Sequence, residues 1–529
     1  MRSRKNRRSK LLIYKEIDFI QYFPYLCKKR YNIMAKSLNI LYVAAEAYPF
    51  AKETGVADVA AGLTIAMREY AHDIRAIIPK YGCIAERKHK IFNINRTAEV
   101  NLKMPSGKDE IFTVKSAAIA NTRHRVQVYV AGNHKYFESR KGIYNDPIKW
   151  VEYNDNLERF VFFSRTVVET CELLGWYPDI IHCNDWHTAL IPAYIRYYYP
   201  NKFKKTKSIL TIHNASNQGV FPLKMYDILG LPEDAKDSFI HKKQLNILKG
   251  GMLYANKVTT VSETYKEQIS KDKNLTNGLN TLINLNYDKI IGINNGVDIN
   301  YWDPRNDTFI NKKLDGNVTE FKQINKIELC KKYKLMYDEN VPLLSVISRL
   351  DEQKGIDILI NAIPEIMKND VQLIILGQGN KEMKEKLTKL RSMYPKQIAL
   401  IFAFDDNIAH LIEAGADMYI MPSRQEACGL NFLYSLGYGT IPIAHLTGGI
   451  KDNAVPIAKN KITDASNCFG IKTLTENNLI TAVKNALELY TNKEIWTKLV
   501  NNVISKDYSW LTQAPKYDAL YRKVLKGND

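Results

Sequence analysis

The chain has 529 residues, 45% hydrophobic and 25% charged, with a net charge of +19. That length gives two or three domains with real cores. Seven scattered cysteines without a C-x-x-C pair exclude a disulfide framework and a zinc ribbon and suit a reducing compartment, and no apolar run reaches the ~18 residues of a membrane helix. Residues 1–33 carry ten Lys/Arg against Glu16 and Asp18, which is +8 of the total and leaves +11 for the body. A basic body suits an anionic substrate or nucleic acid, and a lysine-rich compositional bias produces the same charge. The first 33 residues are unlike the rest of the chain, and Met34 stands just before the first apolar run. They read as an upstream extension, with a basic transit segment as the alternative. Leu11–Ile13 is too soon broken by Lys15 and Glu16 for a signal-peptide core.

Leu38–Ala45 reads as a buried strand. A turn bearing Pro49 comes next, then Lys52, Thr54 and Gly55, and a helix opens at Val56–Ala61. Strand, small-residue loop and helix start together suit an anion, because the first helical N–H groups are unpaired and Gly admits close approach. An ordinary strand–helix connection has the same pattern. Strands are predicted at Ile74–Ile78, Val126–Val130, Asp179–Cys183, Ser208–His213 and Lys257–Ser262. Phe160–Leu174 has helical spacing and stops at Gly175, a helix is expected from Thr188, and Ser262 is placed to cap one from Glu263. Residues 271–340 are polar and turn-rich, as in a linker region. A second series then runs Leu343–Arg349, Val371–Leu376, Ile398–Phe404, Met418–Met421 and Thr440–Ala444, with a helix over Trp510–Leu525. Repeated β-α alternation predicts parallel sheets with helices on both faces. The fold class is α/β, with two doubly wound domains whose strand ends flank a ligand cleft.

Arg349 and Lys354 stand five apart in a loop between a strand and a helix, beside Gly355. A planar fork and a compact ammonium together suit a diphosphate, while two solvated cations are the plainer alternative. Glu426 sits in a strand-end loop followed by Cys428-Gly429-Leu430, and Thr447-Gly448-Gly449 is a further small-residue loop after a strand. His182, Asp185 and His187 have poor spacing for zinc, which favours hydrogen-bonding roles. There is no P-loop, nucleophile elbow or RNA-binding signature.

Nine segments stand in order: Lys52–Val59, Asn184–His187, Thr211–Asn214 with Gln218-Gly219, Leu248–Gly251, Asn295–Asp298, Ser348–Leu350 with Gln353–Gly355, Pro422–Arg424 with Glu426–Leu430, Tyr438–Thr440 and Thr447–Gly449. Together they resemble the bacterial glycogen synthases and plant starch synthases, from about Leu38 to Leu525. The resemblance implies the GT-B architecture, two Rossmann-like domains facing a deep interdomain cleft. It implies residues 1–36 as a basic extension, 37–285 as an acceptor-side domain, 286–505 as a nucleotide-sugar domain and 506–529 as a helix crossing back. It implies transfer of glucose from ADP-glucose to the non-reducing end of an α-1,4-glucan, with retention of configuration and neither cofactor nor metal; the alternatives are a UDP-glucose donor or another acceptor, or a weakly active glucan-binding homologue. No nucleic-acid partner or membrane insertion is expected, and the location is cytoplasmic, or an organelle if residues 1–33 are a transit segment.

On that resemblance Arg349 and Lys354 neutralise the leaving diphosphate, helped by backbone N–H groups at Gly55 and Thr447, Gly448 and Gly449. His213 sits beside the glucose C6 hydroxyl and Glu426 holds sugar hydroxyls. Asp185 and Asn214 shape the acceptor side, Lys52 lines the donor phosphates and Phe404 lies against the adenine. Cys428, Gly429 and Leu430 complete the donor loop. The chain departs from the family at Lys52-Glu53-Thr54-Gly55-Val56, where the usual loop is Lys-x-Gly-Gly-Leu, and at Asn184, Asn217 and His445. Thr54 puts close backbone approach in question, and Glu53 repels a phosphate unless it points away.

Overall fold

The computed structural model describes residues 36–94, 99–105, 107–121, 123–149, 151–403, 405–458 and 461–527. The first 35 residues, with Met34, lie outside them, as does Phe404. Among the described residues no helix is long and apolar enough to cross a membrane.

The first unit is built on a ten-stranded sheet. Its order is Ile290–Gly292, Lys257–Thr260, Lys207–Ile212, Ile180–Asn184, Asn39–Val43, Asp73–Pro79, Arg125–Gly132, Asp109–Ala120 and Phe92–Asn93, with Val100–Lys103 paired beside Asp109–Ala120. The first seven of these run parallel. Chain order reverses between Asn39–Val43 and Ile180–Asn184, so the loops after these two strands stand at the switch point where sheets of this type bind ligands. The expected all-parallel sheet is corrected at its far edge, where Asp109–Ala120 pairs antiparallel with Arg125–Gly132. Its signal was alternation within each half, Phe112 and Val114 burying on one face and Ala117 and Ile119 on the other.

The second unit carries six parallel strands in the order Ile398–Ile401, Gln372–Leu376, Leu343–Ile347, Met418–Met421, Ile441–His445 and Phe469–Ile471. Here the reversal falls between Leu343–Ile347 and Met418–Met421. The loops after those strands hold Arg349 and Lys354, and Glu426.

Two expectations about boundaries change. Ile290–Gly292 pairs with Lys257–Thr260 inside the first sheet, so a division after residue 285 falls too early. The stretch 271–340 is also no mere linker, because it contains the helices Asn280–Leu285 and Val318–Tyr333. The second of these buries Asn325 and Lys326 along with Phe321, Leu329 and Cys330, and these polar residues on its inner face blur the apolar period.

The helix Trp510–Lys526 returns to the first unit. Trp510, Ala514, Tyr517, Tyr521 and Val524 recur at helical spacing and bury into that unit's core, each large apolar side chain contributing about 1.5–3 kcal/mol. A Cβ on Gly62 would lie 2.1 Å from the Trp510 ring, so only glycine admits the indole. His72 Nε2 meets Asp518 Oδ1 at 2.9 Å and His182 Nδ1 meets the Tyr521 hydroxyl at 2.8 Å.

Candidate active site

The carboxyl edges of the two sheets meet. A Cβ on Gly55 would stand 3.1 Å from Leu430 Cδ1 of the other unit, and Ser262 Oγ donates to the Ala427 carbonyl at 2.8 Å. Asp452 accepts from the Glu263 N–H at 2.8 Å and so caps the helix Glu263–Lys271 from across the boundary.

On the first unit, Lys52 Nζ lies 3.1 Å from Asp58 Oδ1 and 2.9 Å from Asp406 Oδ2, so one ammonium ties the two units together. Burial alone would lower that ammonium, but Asp58 and Asp406 hold it above its ordinary value. The Tyr301 hydroxyl donates to Asp406 at 3.0 Å, and the Tyr434 hydroxyl to Asp58 at 3.3 Å. Just upstream, fully buried Glu46 accepts from the N–H groups of Glu53 at 2.6 Å and Thr54 at 3.0 Å, from the Tyr144 hydroxyl at 3.0 Å and from the Thr54 hydroxyl. Glu53 turns onto the 143–145 segment, with Asn145 Nδ2 3.5 Å from its carboxylate. Thr54 caps the helix Gly55–Glu69, its Oγ1 accepting from Val56 N at 3.2 Å.

The loop after Ile180–Asn184 places Asp185 at φ +53°, a left-handed conformation that a non-glycine residue rarely adopts. Its carboxylate accepts from the His213 N–H at 2.8 Å. Asn184 Nδ2 donates to the Val43 carbonyl at 2.9 Å, which turns Oδ1 towards the Tyr42 hydroxyl at 2.9 Å and His213 Nε2 at 2.8 Å. The imidazole therefore carries its proton on Nε2 and leaves Nδ1 as an acceptor. Burial pushes His213 down to about 4, so the ring is neutral at pH 7. Asn214 closes a local turn, accepting from Ser216 N at 3.0 Å and Ser216 Oγ at 2.7 Å. His182 lies beneath the C-terminal helix and not at the site, and the helix expected from Thr188 begins at Ile191 after a single tight turn.

On the second unit, Lys354 Nζ contacts Glu426 Oε2 at 2.6 Å, and Ser423 Oγ donates to the same oxygen at 3.2 Å. The Arg349 side chain is 54% exposed and lies 3.4 Å from Asp351. Cys428 is a buried thiol, pushed up to about 12 by burial, and is no nucleophile at neutral pH. Gly429, at φ +80°, turns the chain into the helix Leu430–Gly437. Two of the N–H groups expected to face an anion, those of Thr447 and Gly449, are bonded within the protein. Thr447 N donates to His445 O at 2.9 Å, and Gly449 N to Glu426 O and Ala427 O at 3.1 Å each. This loop lies against the 426–428 backbone, so its small residues serve to position Glu426. His445 Nδ1 supports the same loop through Ser423 O at 2.7 Å.

Of the residues singled out from the sequence, Lys52, Gly55, Asp185, His213, Asn214, Arg349, Lys354, Glu426, Cys428–Leu430 and Thr447–Gly449 lie on the facing strand-end loops of the two units. Glu46, Tyr301 and Asp406 are missing from that set. Glu46 had a signal, a lone carboxylate between Ala45 and Ala47 at a strand end. Asp406 and Tyr301 had none, since only the fold brings them to Lys52.

Burial pushes the carboxyls of Glu46 and Asp185 up to about 7. A raised carboxyl pKa gives stability that is full below the unfolded value and is lost as pH rises towards 7. The buried imidazoles of His182, His187 and His213 are lowered and act in the opposite sense, losing stability as pH falls below about 6.5. Comparison with Glu46→Gln isolates one group. The Tm of Glu46→Gln relative to the parent should rise as pH goes from 5 to 8, and a difference independent of pH would refute the assignment.

Known proteins share this arrangement. Residues 39–284 match the starch synthase catalytic domain family model, and residues 331–467 match glycosyl transferases group 1. The glycogen synthase of Chlorobium phaeobacteroides is 33% identical over 495 residues, covering 93% of this chain and 99% of that protein. That of Thermosipho melanesiensis is 35% identical over 496 residues, covering 92% and 99%. Among solved structures, the catalytic domain of starch synthase IV from Arabidopsis thaliana, bound to ADP and acarbose, superposes with a TM-score of 0.84 at 28% identity, over 93% of this chain and 100% of that one. Two doubly wound sheets joined at their reversal points, and relatives matched almost end to end, lead to one assignment: the chain belongs to the glycogen and starch synthase family of GT-B glycosyltransferases.

Proposed function

We propose that the chain transfers glucose from ADP-glucose to the non-reducing end of an α-1,4-glucan, with retention of configuration. The observation that carries the reading is the placement of Lys354, Glu426 and exposed Arg349 on the two loops that flank the second unit's strand-order reversal, where sheets of this type bind ligands. Membership of the family and the ADP and acarbose bound by the Arabidopsis relative support it.

In this reading Arg349 and Lys354 receive the leaving diphosphate, doing with fixed cations what a metal does elsewhere. Glu426 holds sugar hydroxyls and keeps Lys354 oriented. Lys52 exchanges part of its contact with Asp58 and Asp406 for donor phosphate, beside Gly55. Neutral His213 offers Nδ1 as an acceptor near the reacting sugar, and Asp185 and Asn214 line the acceptor side. Gly429 and Leu430 carry the donor loop past buried Cys428, and Phe404 is assigned to the adenine. Free thiols at all six described cysteines suit a reducing compartment such as the cytoplasm.

The test supplies labelled ADP-glucose or UDP-glucose with glycogen and measures incorporation into polymer. Incorporation from ADP-glucose is expected. Incorporation from UDP-glucose alone would overturn the donor, and none from either would overturn the activity.

A further inference from the structure

The Lys52–Gly55 loop lacks the second glycine of related loops, yet its geometry needs none. Thr54 has φ −130° and ψ 177°, extended backbone that any residue adopts. Its hydroxyl is turned inward, donating to Glu46 while accepting from the Val56 N–H. Glu46 is wholly buried and takes four donors, three of them from Glu53 and Thr54 and the fourth from Tyr144. A buried carboxylate with that many donors is a rigid anchor, because each bond lost leaves an unpaired buried oxygen.

We propose that Thr54 and Glu46 form a lock that holds the Lys52–Gly55 loop in its substrate-binding shape, with Thr54 a positioning residue in place of a glycine. The loop it holds carries Lys52 on one side and the start of the Gly55–Glu69 helix on the other. Shortening Thr54 to glycine frees two dihedrals and removes one donor, so it loosens the loop. The inference rests on the donor-site reading of Lys52, but the lock is readable without activity.

Hydrogen exchange at the Glu53 and Thr54 amides, both bonded to Glu46, reports the lock directly. Thr54→Gly and the isosteric Thr54→Val should exchange faster at both amides and raise KM for the nucleotide sugar about tenfold with kcat less affected, the scale of one hydrogen bond to a charged group. Thr54→Ser keeps the hydroxyl and should behave as the parent in both measurements. Unchanged exchange in Thr54→Val, or Thr54→Gly with KM at or below the parent value, would overturn the lock. If the parent transfers glucose from no donor, the donor-site reading fails, and the exchange comparison still decides whether the lock exists.

Discussion

Lys354→Ala should lower kcat/KM by about 10²–10³, the size of effect seen when one preorganised electrostatic donor is removed from a reacting centre. Lys354 is only 21% exposed and its ammonium is held by Glu426, so it is fixed before substrate arrives and needs little reorganisation. Arg349 is 54% exposed and has looser contacts, to Gln353 at 3.1 Å and Asp351 at 3.4 Å. Its replacement by alanine should therefore cost less, about 1.5–3 kcal/mol of transition-state binding. Removing Lys354 also leaves Glu426 without its cation, so the double variant Lys354→Ala/Glu426→Gln separates the two losses. Because Glu426 also holds sugar hydroxyls, the double variant is expected to be no faster than Lys354→Ala if the cation acts on the leaving diphosphate; recovery of rate would mean that Lys354 matters only by neutralising Glu426. Turnover like the parent's in Lys354→Ala would refute the role.

The second large effect is structural. Gly448 has φ +47°, and a Cβ there would lie 1.8 Å from the Glu426 carbonyl oxygen. Backbone cannot yield that distance without moving, and the residue it would move carries the carboxylate that orients Lys354. Gly448→Ala should destabilise the second unit by about 4 kcal/mol, combining overpacking with a strained backbone, and should abolish most activity even where the protein stays folded. Urea unfolding with a parallel transfer assay checks both. A variant with parent stability would mean that the loop can slide away from Glu426. The neighbouring Gly355 obeys the same logic, with φ +68° and a Cβ position 1.8 Å from Pro422 O.

The parallel strands are readable because strands buried on both faces leave unbroken apolar runs, as Ile40–Val43 and Leu373–Leu376 do. Strand-end loops then point to Arg349, Lys354 and Glu426, since switch-point loops are where this architecture keeps its ligands. What stays hidden depends on distant pairing. Nothing local says that Asp406 reaches Lys52, 354 residues away in the chain. Nor does the sequence show that Thr54 turns its hydroxyl inward, which changes the reading of a missing glycine from a defect to a contact. At Thr447 and Gly449 the sequence is ambiguous for a related reason: small residues permit close approach of a ligand or of the protein's own backbone, and there the N–H groups meet the protein's own carbonyls.

The returning helix Trp510–Lys526 sets the order in which a newly made chain can finish folding. Every strand of the first sheet has been synthesised by Gly292, and the second sheet is complete by Ile471. Gly62, His72 and His182 nevertheless wait for Trp510, Asp518 and Tyr521 to emerge. At about 5–20 residues per second, that interval from Gly292 to Trp510 is roughly 10–40 s on the ribosome. The unit made first is therefore completed last, and throughout that time it exposes the apolar groove that the final helix will cover.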